Sequence, residues 1–165
     1  MDNTLIVFAS DHGTVEKCAR HLFRLLEGNV DMCNLEQRDF FPDVSNYDAV
    51  IIGGSIHSGA VQECVSRFCE ENLQSLQTKR LGLFINCLYT GEKARKQLDA
   101  AYPAVLNEKA RVRDYFGGEV DKTQLTFWER VVTSQMMKKK DLRVVLSKDK
   151  IERFAQIMNG EEPQI

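Results

Sequence analysis

The sequence predicts an α/β domain: a parallel sheet with helices on both faces. Short apolar runs alternate with amphipathic runs of helical period along most of the chain. Two of the short runs, 47–54 and 81–86, are apolar on both faces, as strands buried in a parallel sheet are. The first run passes through a glycine directly into a helical pattern, the junction that opens a βα unit.

Leu5 to Ala9 form the first strand. The spacing then predicts a helix over 14–27, because Val15, Cys18, Ala19, Leu22, Leu25 and Leu26 recur at three- and four-residue steps while Glu16, Lys17, Arg20 and Arg24 fall elsewhere. Asn29 to Leu35 make a weaker strand, favoured by Val30 and opposed by Asp31. Tyr47 to Gly54, Leu81 to Asn86 and Ala110 to Phe116 supply the third, fourth and fifth strands, with helical patterns over 60–73 and 92–102 between them. Right-handed crossovers leave few topologies for such an order. Beyond the fifth strand, Thr126-Phe-Trp-Glu129 reads as a capping box that starts a helix towards Lys140, with Trp128, Val131, Val132 and Met136 on one side. Residues 144–146 continue as an extended segment. Ser147 caps a last helix that turns Ile151, Phe154 and Met158 inward, and the chain from Gly160 onward reads as a tail.

At 165 residues and 43% apolar content, the chain has the size and core of one domain. A net charge of −2 leaves no globally basic surface, which argues against a dedicated nucleic-acid binder. The chain opens on a strand with no basic-then-apolar leader, and no apolar run approaches the roughly 18 residues that span a bilayer, so a cytoplasmic location is expected. Five cysteines form no C-x-x-C pair and share no metal-ligand spacing with the three histidines. They read as reduced thiols, with no metal site. Cys64 and Cys69 lie on the stripe Val61, Cys64, Val65, Phe68, Cys69 and are packing residues.

In an open parallel sheet, ligands bind beyond the carboxyl ends of the strands where strand order reverses. Three loops leave the strands expected to be central: 10–15, 53–59 and 86–91. Each holds glycine and at least one hydroxyl, and two of the three histidines, His12 and His57, fall in them. A strand that turns through Gly13 into a helix start leaves backbone N–H groups pointing one way with the helix dipole behind them, a cradle for phosphate. Ile56, Leu88 and Tyr89 offer apolar and aromatic walls, so a flat ring carrying a phosphate tail fits this set.

These residues resemble the flavodoxin-like family, close to its menaquinone-dependent protoporphyrinogen dehydrogenase branch. The resemblance runs through the loop at 10–15, through 47–59 with Ile51-Ile-Gly-Gly-Ser-Ile56, through 86–91 and through Phe127-Trp-Glu-Arg130. It implies a flavodoxin-like three-layer sandwich over 1–160, with a five-stranded parallel sheet in the order 2-1-3-4-5, and a tail at 161–165. It also implies FMN as cofactor. Ser10, Asp11, His12, Gly13, Thr14 and Val15 would surround the phosphate, and Ser55, Ile56, His57, Ser58 and Gly59 with Asn86, Cys87, Leu88, Tyr89, Thr90 and Gly91 would flank the isoalloxazine.

The family's phosphate loop carries three hydroxyl residues, as [Ser/Thr]-x-Thr-Gly-x-Thr. Here Ser10 keeps the first, His12 and Val15 replace the others, and Thr14 lies one position early. The implied function is FMN redox chemistry, as a quinone-linked dehydrogenase of a porphyrinogen-like substrate. Two alternatives stand beside it: an electron carrier with no substrate of its own, and an interaction module that has lost flavin. The partner is accordingly a redox protein or a quinone. Near-balanced charge favours the enzyme, since carriers of this family are strongly acidic and dock by charge. The helix over 126–140, ending in Lys138-Lys-Lys140, reads either as core packing with a solvated basic end or as a face for an anionic membrane surface. Oligomeric state stays open.

Overall fold

Successive residues of a strand face opposite sides of its sheet, and here each side meets its own set of helices. The structure, a computed structural model, describes residues 2–10, 13–37, 42–118 and 146–161. Its strands are β1 Asn3–Phe8, β2 Asn29–Asn34, β3 Ala49–His57, β4 Ala60–Val61, β5 Arg80–Asn86 and β6 Val112–Tyr115. Its helices are α1 Thr14–Leu25, α2 Glu63–Glu71, α3 Leu73–Leu76, α4 Gly91–Ala101, α5 Ala104–Lys109 and α6 Lys148–Met158, with a 3-10 turn at Val44–Asn46.

Five strands run parallel in the order β2-β1-β3-β5-β6, and the two-residue β4 pairs antiparallel with the end of β3. Without β4 this is the order 2-1-3-4-5, so the predicted fold class holds. Leu5, Val7, Val50, Ile52, Leu83 and Ile85 face α2, α4 and α5 through Val65, Cys69, Leu98 and Leu106. Ile6, Phe8, Ala49, Ile51 and Phe84 face α1 and α6 through Cys18, Leu22, Ile151, Phe154 and Met158. Each large aliphatic or aromatic side chain removed from water in this way contributes about 1.5–3 kcal/mol.

Glycine sets the closest packing. A Cβ on Gly53 would lie 2.0 Å from Phe84 Cζ, so its absence lets the Phe84 ring cross β3. That ring stacks on Phe116 at 4.8 Å between centroids and meets the edge of Phe154 at 6.1 Å. The hydroxyl of Tyr102 is buried between β3 and β5, 2.6 Å from the Phe84 carbonyl and 3.2 Å from that of Ile52, and burial raises its pKa well above the ordinary tyrosine value. The last helix docks late in sequence on the first. Asn159 accepts from the Glu27 N–H at 3.0 Å and donates to the Leu25 carbonyl at 3.1 Å, closing the end of α1.

Three details differ from expectation. The third strand was expected to end at Gly54 and runs on to His57, so residues 55–57 are strand where a loop was expected. The helix expected over 60–73 begins at Glu63, because Ala60 and Val61 first pair back onto β3. The helix α5 was not foreseen, since six residues give too little periodicity to read. Ser147 caps α6 as expected, accepting from the Lys150 N–H at 3.4 Å, and Ile151, Phe154 and Met158 are buried. Asp11, His12, the helix expected over 126–140, residues 144 and 145, and 162–165 lie outside the described residues.

Candidate functional site

Strand order reverses between β1 and β3, and the carboxyl ends of these strands and β5 bring the three sequence-predicted segments to one rim. At the end of β1, Gly13 takes the left-handed conformation, φ +82° and ψ −10°, as N-cap of α1. Its N–H donates to Ser10 Oγ at 3.0 Å. Among the described residues no side chain caps α1, so the amides of its first turn are open to an outside acceptor, with the helix dipole behind them. Thr14 is half-buried. The Val15 side chain is 2% exposed and packs in the core with Ile6 and Phe8, so only the main-chain N–H of Val15 is available to a ligand.

The second segment is strand and tight turn. His57 and Ala60 pair across Ser58 and Gly59, both at positive φ (+53° and +82°), a two-residue turn whose twist suits a hairpin. Ser55 and Ile56 are half-buried; His57, Ser58 and Gly59 are exposed. Gln62, just past β4, ties this hairpin to β1. It accepts from the Ser55 N–H at 2.9 Å and donates to the Ala9 carbonyl at 3.1 Å and to Ser55 Oγ at 2.9 Å. Ser55 Oγ also lies 2.8 Å from His57 Nε2.

The third segment leaves β5 at Asn86, which is 3% exposed. Its Nδ2 donates to the Gly117 carbonyl at 2.8 Å and approaches Cys18 Sγ at 3.4 Å, while its buried Oδ1 has no hydrogen-bond partner among the described residues. Cys87 is buried and donates to the Tyr89 carbonyl at 3.5 Å; burial pushes its thiol up to about 11, so it is a neutral packing group. Leu88, Tyr89 and Thr90 are half-buried. The Lys93 ammonium sits 5.2 Å from the Tyr89 ring centroid, and Gly91 N–H donates to Tyr115 OH at 3.0 Å.

Gly13, Gly59 and Gly91, one in each segment, are left-handed, and a Cβ on any of them would meet no described atom within 4 Å. Open space in front of three such turns, uncapped amides at a helix start and an unpartnered buried acceptor fit a phosphorylated ring better than a metal. No group of metal-ligating side chains occurs among the described residues, nor any helix long and apolar enough to cross a membrane. Sequence reasoning missed Gln62, Tyr115 and the Gly117-Gly118 pair. Only the glycine pair carried a signal, being a double glycine directly after a strand.

Among solved structures, a short-chain flavodoxin associated with a non-canonical PDU bacterial microcompartment superimposes with a TM-score of 0.60 at 18% identity, covering 97% of this chain and 96% of that one. Flavodoxin 1 from Bacillus cereus gives 0.56 at 14% identity, covering 97% and 99%. The chain spans 37% of the length of a rubredoxin oxygen:oxidoreductase from Desulfovibrio gigas, at a TM-score of 0.49 and 17% identity over 97% of this chain. At such identities these likenesses show the fold alone. No curated protein sequence matches. The family model of the flavodoxin domain matches residues 5–143, and the chain belongs to that family.

Proposed function

We propose that the rim between β1, β3 and β5 binds FMN, and that the protein is a flavin redox protein. The observation that carries this reading is the convergence of the uncapped α1 start with three left-handed glycines facing open space at the switch point of the sheet. The main-chain amides of Thr14 and Val15 and the Ser10 hydroxyl would hold the phosphate. The hairpin at 55–59 and the segment 86–91 would flank the ring. FMN, when bound, supplies a two-electron acceptor that also exchanges single electrons. What the chain contributes is position: Gln62 and Asn86 brace the strand ends, and the buried Cys87 keeps a reactive thiolate away from the ring.

Within that reading, a quinone-linked dehydrogenase is favoured over a freely docking carrier by a net charge of only −2. Fluorescence titration of apo-protein with FMN tests the cofactor: quenching with micromolar or tighter affinity is expected, and unchanged fluorescence at tens of micromolar refutes it. Turnover of protoporphyrinogen with a menaquinone analogue tests the enzyme. No turnover with any quinone, beside fast, salt-sensitive electron exchange with a flavodoxin reductase, decides for the carrier.

A further inference from the structure

Two side chains, Gln62 and His57, meet the Ser55 hydroxyl. Gln62 faces a main-chain N–H with Oε1 and a main-chain carbonyl with Nε2, so its amide has one orientation only. Its Nε2 therefore donates to Ser55 Oγ at 2.9 Å. Across the 2.8 Å contact with His57 Nε2, the Ser55 O–H donates to Nε2 in the ring tautomer that carries its proton on Nδ1. A hydroxyl oxygen accepts two hydrogen bonds, and Gln62 fills one, leaving Ser55 Oγ able to accept another. This oxygen is half-buried at the reversal between β1 and β3, while His57 is exposed to water.

We infer that Ser55 and His57 form a proton-accepting relay for the oxidation of a reduced donor bearing an N–H or O–H group, with Gln62 as the positioning residue that sets its direction. The inference rests on the FMN reading, because oxidised FMN is the electron acceptor. In the step, the donor's N–H or O–H proton passes to Ser55 Oγ as Ser55's own proton passes to His57 Nε2. The donor's second hydrogen leaves with the electron pair, as a hydride equivalent, to FMN. The donor is oxidised, FMN is reduced, and the now cationic His57 returns one proton to solvent. Without Gln62, the Ser55 hydroxyl loses the bond that turns its proton towards His57.

The hydrogen positions are tested on apo-protein, labelled with 15N-histidine, by long-range 1H–15N correlation. His57 is expected to carry its proton on Nδ1, with Nε2 hydrogen-bonded and bare; Ser55→Ala should move it to Nε2–H, and Ser55→Thr should keep the wild-type pattern. A wild-type His57 protonated on Nε2 overturns the relay whether or not FMN binds. The chemistry is tested by anaerobic stopped-flow reduction of the FMN-loaded protein with duroquinol. Ser55→Ala and His57→Gln should slow reduction by about a hundredfold, and Ser55→Thr by less than about threefold. Gln62→Leu should fall between them. Dithionite, which delivers electrons without an N–H or O–H proton, should reduce all variants alike. Equal duroquinol rates overturn the relay, as does parallel loss with dithionite. FMN affinity measured for each variant keeps these outcomes apart from a failure of the cofactor reading itself.

Discussion

Replacing Gly13 by alanine separates the strain of the turn from the use of the space in front of it. Gly13 sits at φ +82°, where an L-residue costs about 1–2 kcal/mol, and the added Cβ would meet no described atom within 4 Å. Strain alone therefore sets the folding penalty, and for a domain of this size about 1–2 kcal/mol corresponds to a melting-temperature loss of roughly 2–8 °C. If phosphate approaches the α1 amides past this turn, the methyl group also blocks a charged hydrogen bond worth about 1.5–3 kcal/mol, a loss of tenfold or more in FMN affinity. Riboflavin, lacking the phosphate, should weaken by less than threefold. Thermal melts of apo-protein and parallel fluorescence titrations with FMN and riboflavin give the three numbers. Equal weakening of the two flavins would refute phosphate binding at α1, and a stability loss above about 4 kcal/mol would mean that the turn is packed rather than open.

Gly53→Ala should destabilise by about 1–3 kcal/mol or more in urea unfolding, because its Cβ meets Phe84 Cζ at 2.0 Å and that ring is backed by Phe116; adding Phe84→Leu should recover part of the loss. Tyr47 loses its proton at about 12 in the fold against 10 for a free tyrosine, chiefly through burial and then the Asp31 hydrogen bond, so the fold holds a proton that the unfolded chain has released between those values. Stability should be unaffected by this group below pH 10 and fall as pH rises towards 12, and Tyr47→Phe should remove that slope in alkaline denaturation curves. Ser58→Asn should raise stability by about 0.5–1 kcal/mol in thermal melts, since asparagine tolerates the positive φ of the hairpin turn better than serine does. Cys87, with its thiol pushed up to about 11, should resist iodoacetamide at pH 8 in the folded protein and react once urea is added, as mass spectrometry would read.

The sheet was legible because its signals are local and redundant. Val50 to Ile52 and Leu81 to Ile85 are apolar on consecutive residues, which only a strand covered on both faces explains. The three rim segments followed from the carboxyl ends of the strands expected to be central, and Gly13, Gly59 and Gly91 are left-handed there. The hairpin at 55–61 was not legible, since β4 is two residues long and its pairing depends on a Ser58-Gly59 turn that composition does not distinguish from a loop. Gln62 stayed hidden for a different reason. Its role comes from Ala9, 53 positions earlier, and no local pattern announces a bond across that separation. Val15 shows the converse: it stands where the resembled family's loop carries a hydroxyl, yet its helical spacing already put it on the apolar stripe, and α1 turns that side chain into the core.

The docking of α6 onto α1 and β5 has a consequence for how the chain is made. Gly82 and Phe84 lie under Phe154, yet 70 or more residues separate these partners in the sequence. On the ribosome, at roughly 5–20 residues per second, the sheet face formed by Ile6, Ile51 and Phe84 stays without its final cover for several seconds after β5 has emerged. During that interval the nascent chain presents an apolar face flanked by finished β1 and β3. Slowing translation between β5 and α6 should prolong chaperone occupancy of the nascent chain, because α6 is the element that shields this face.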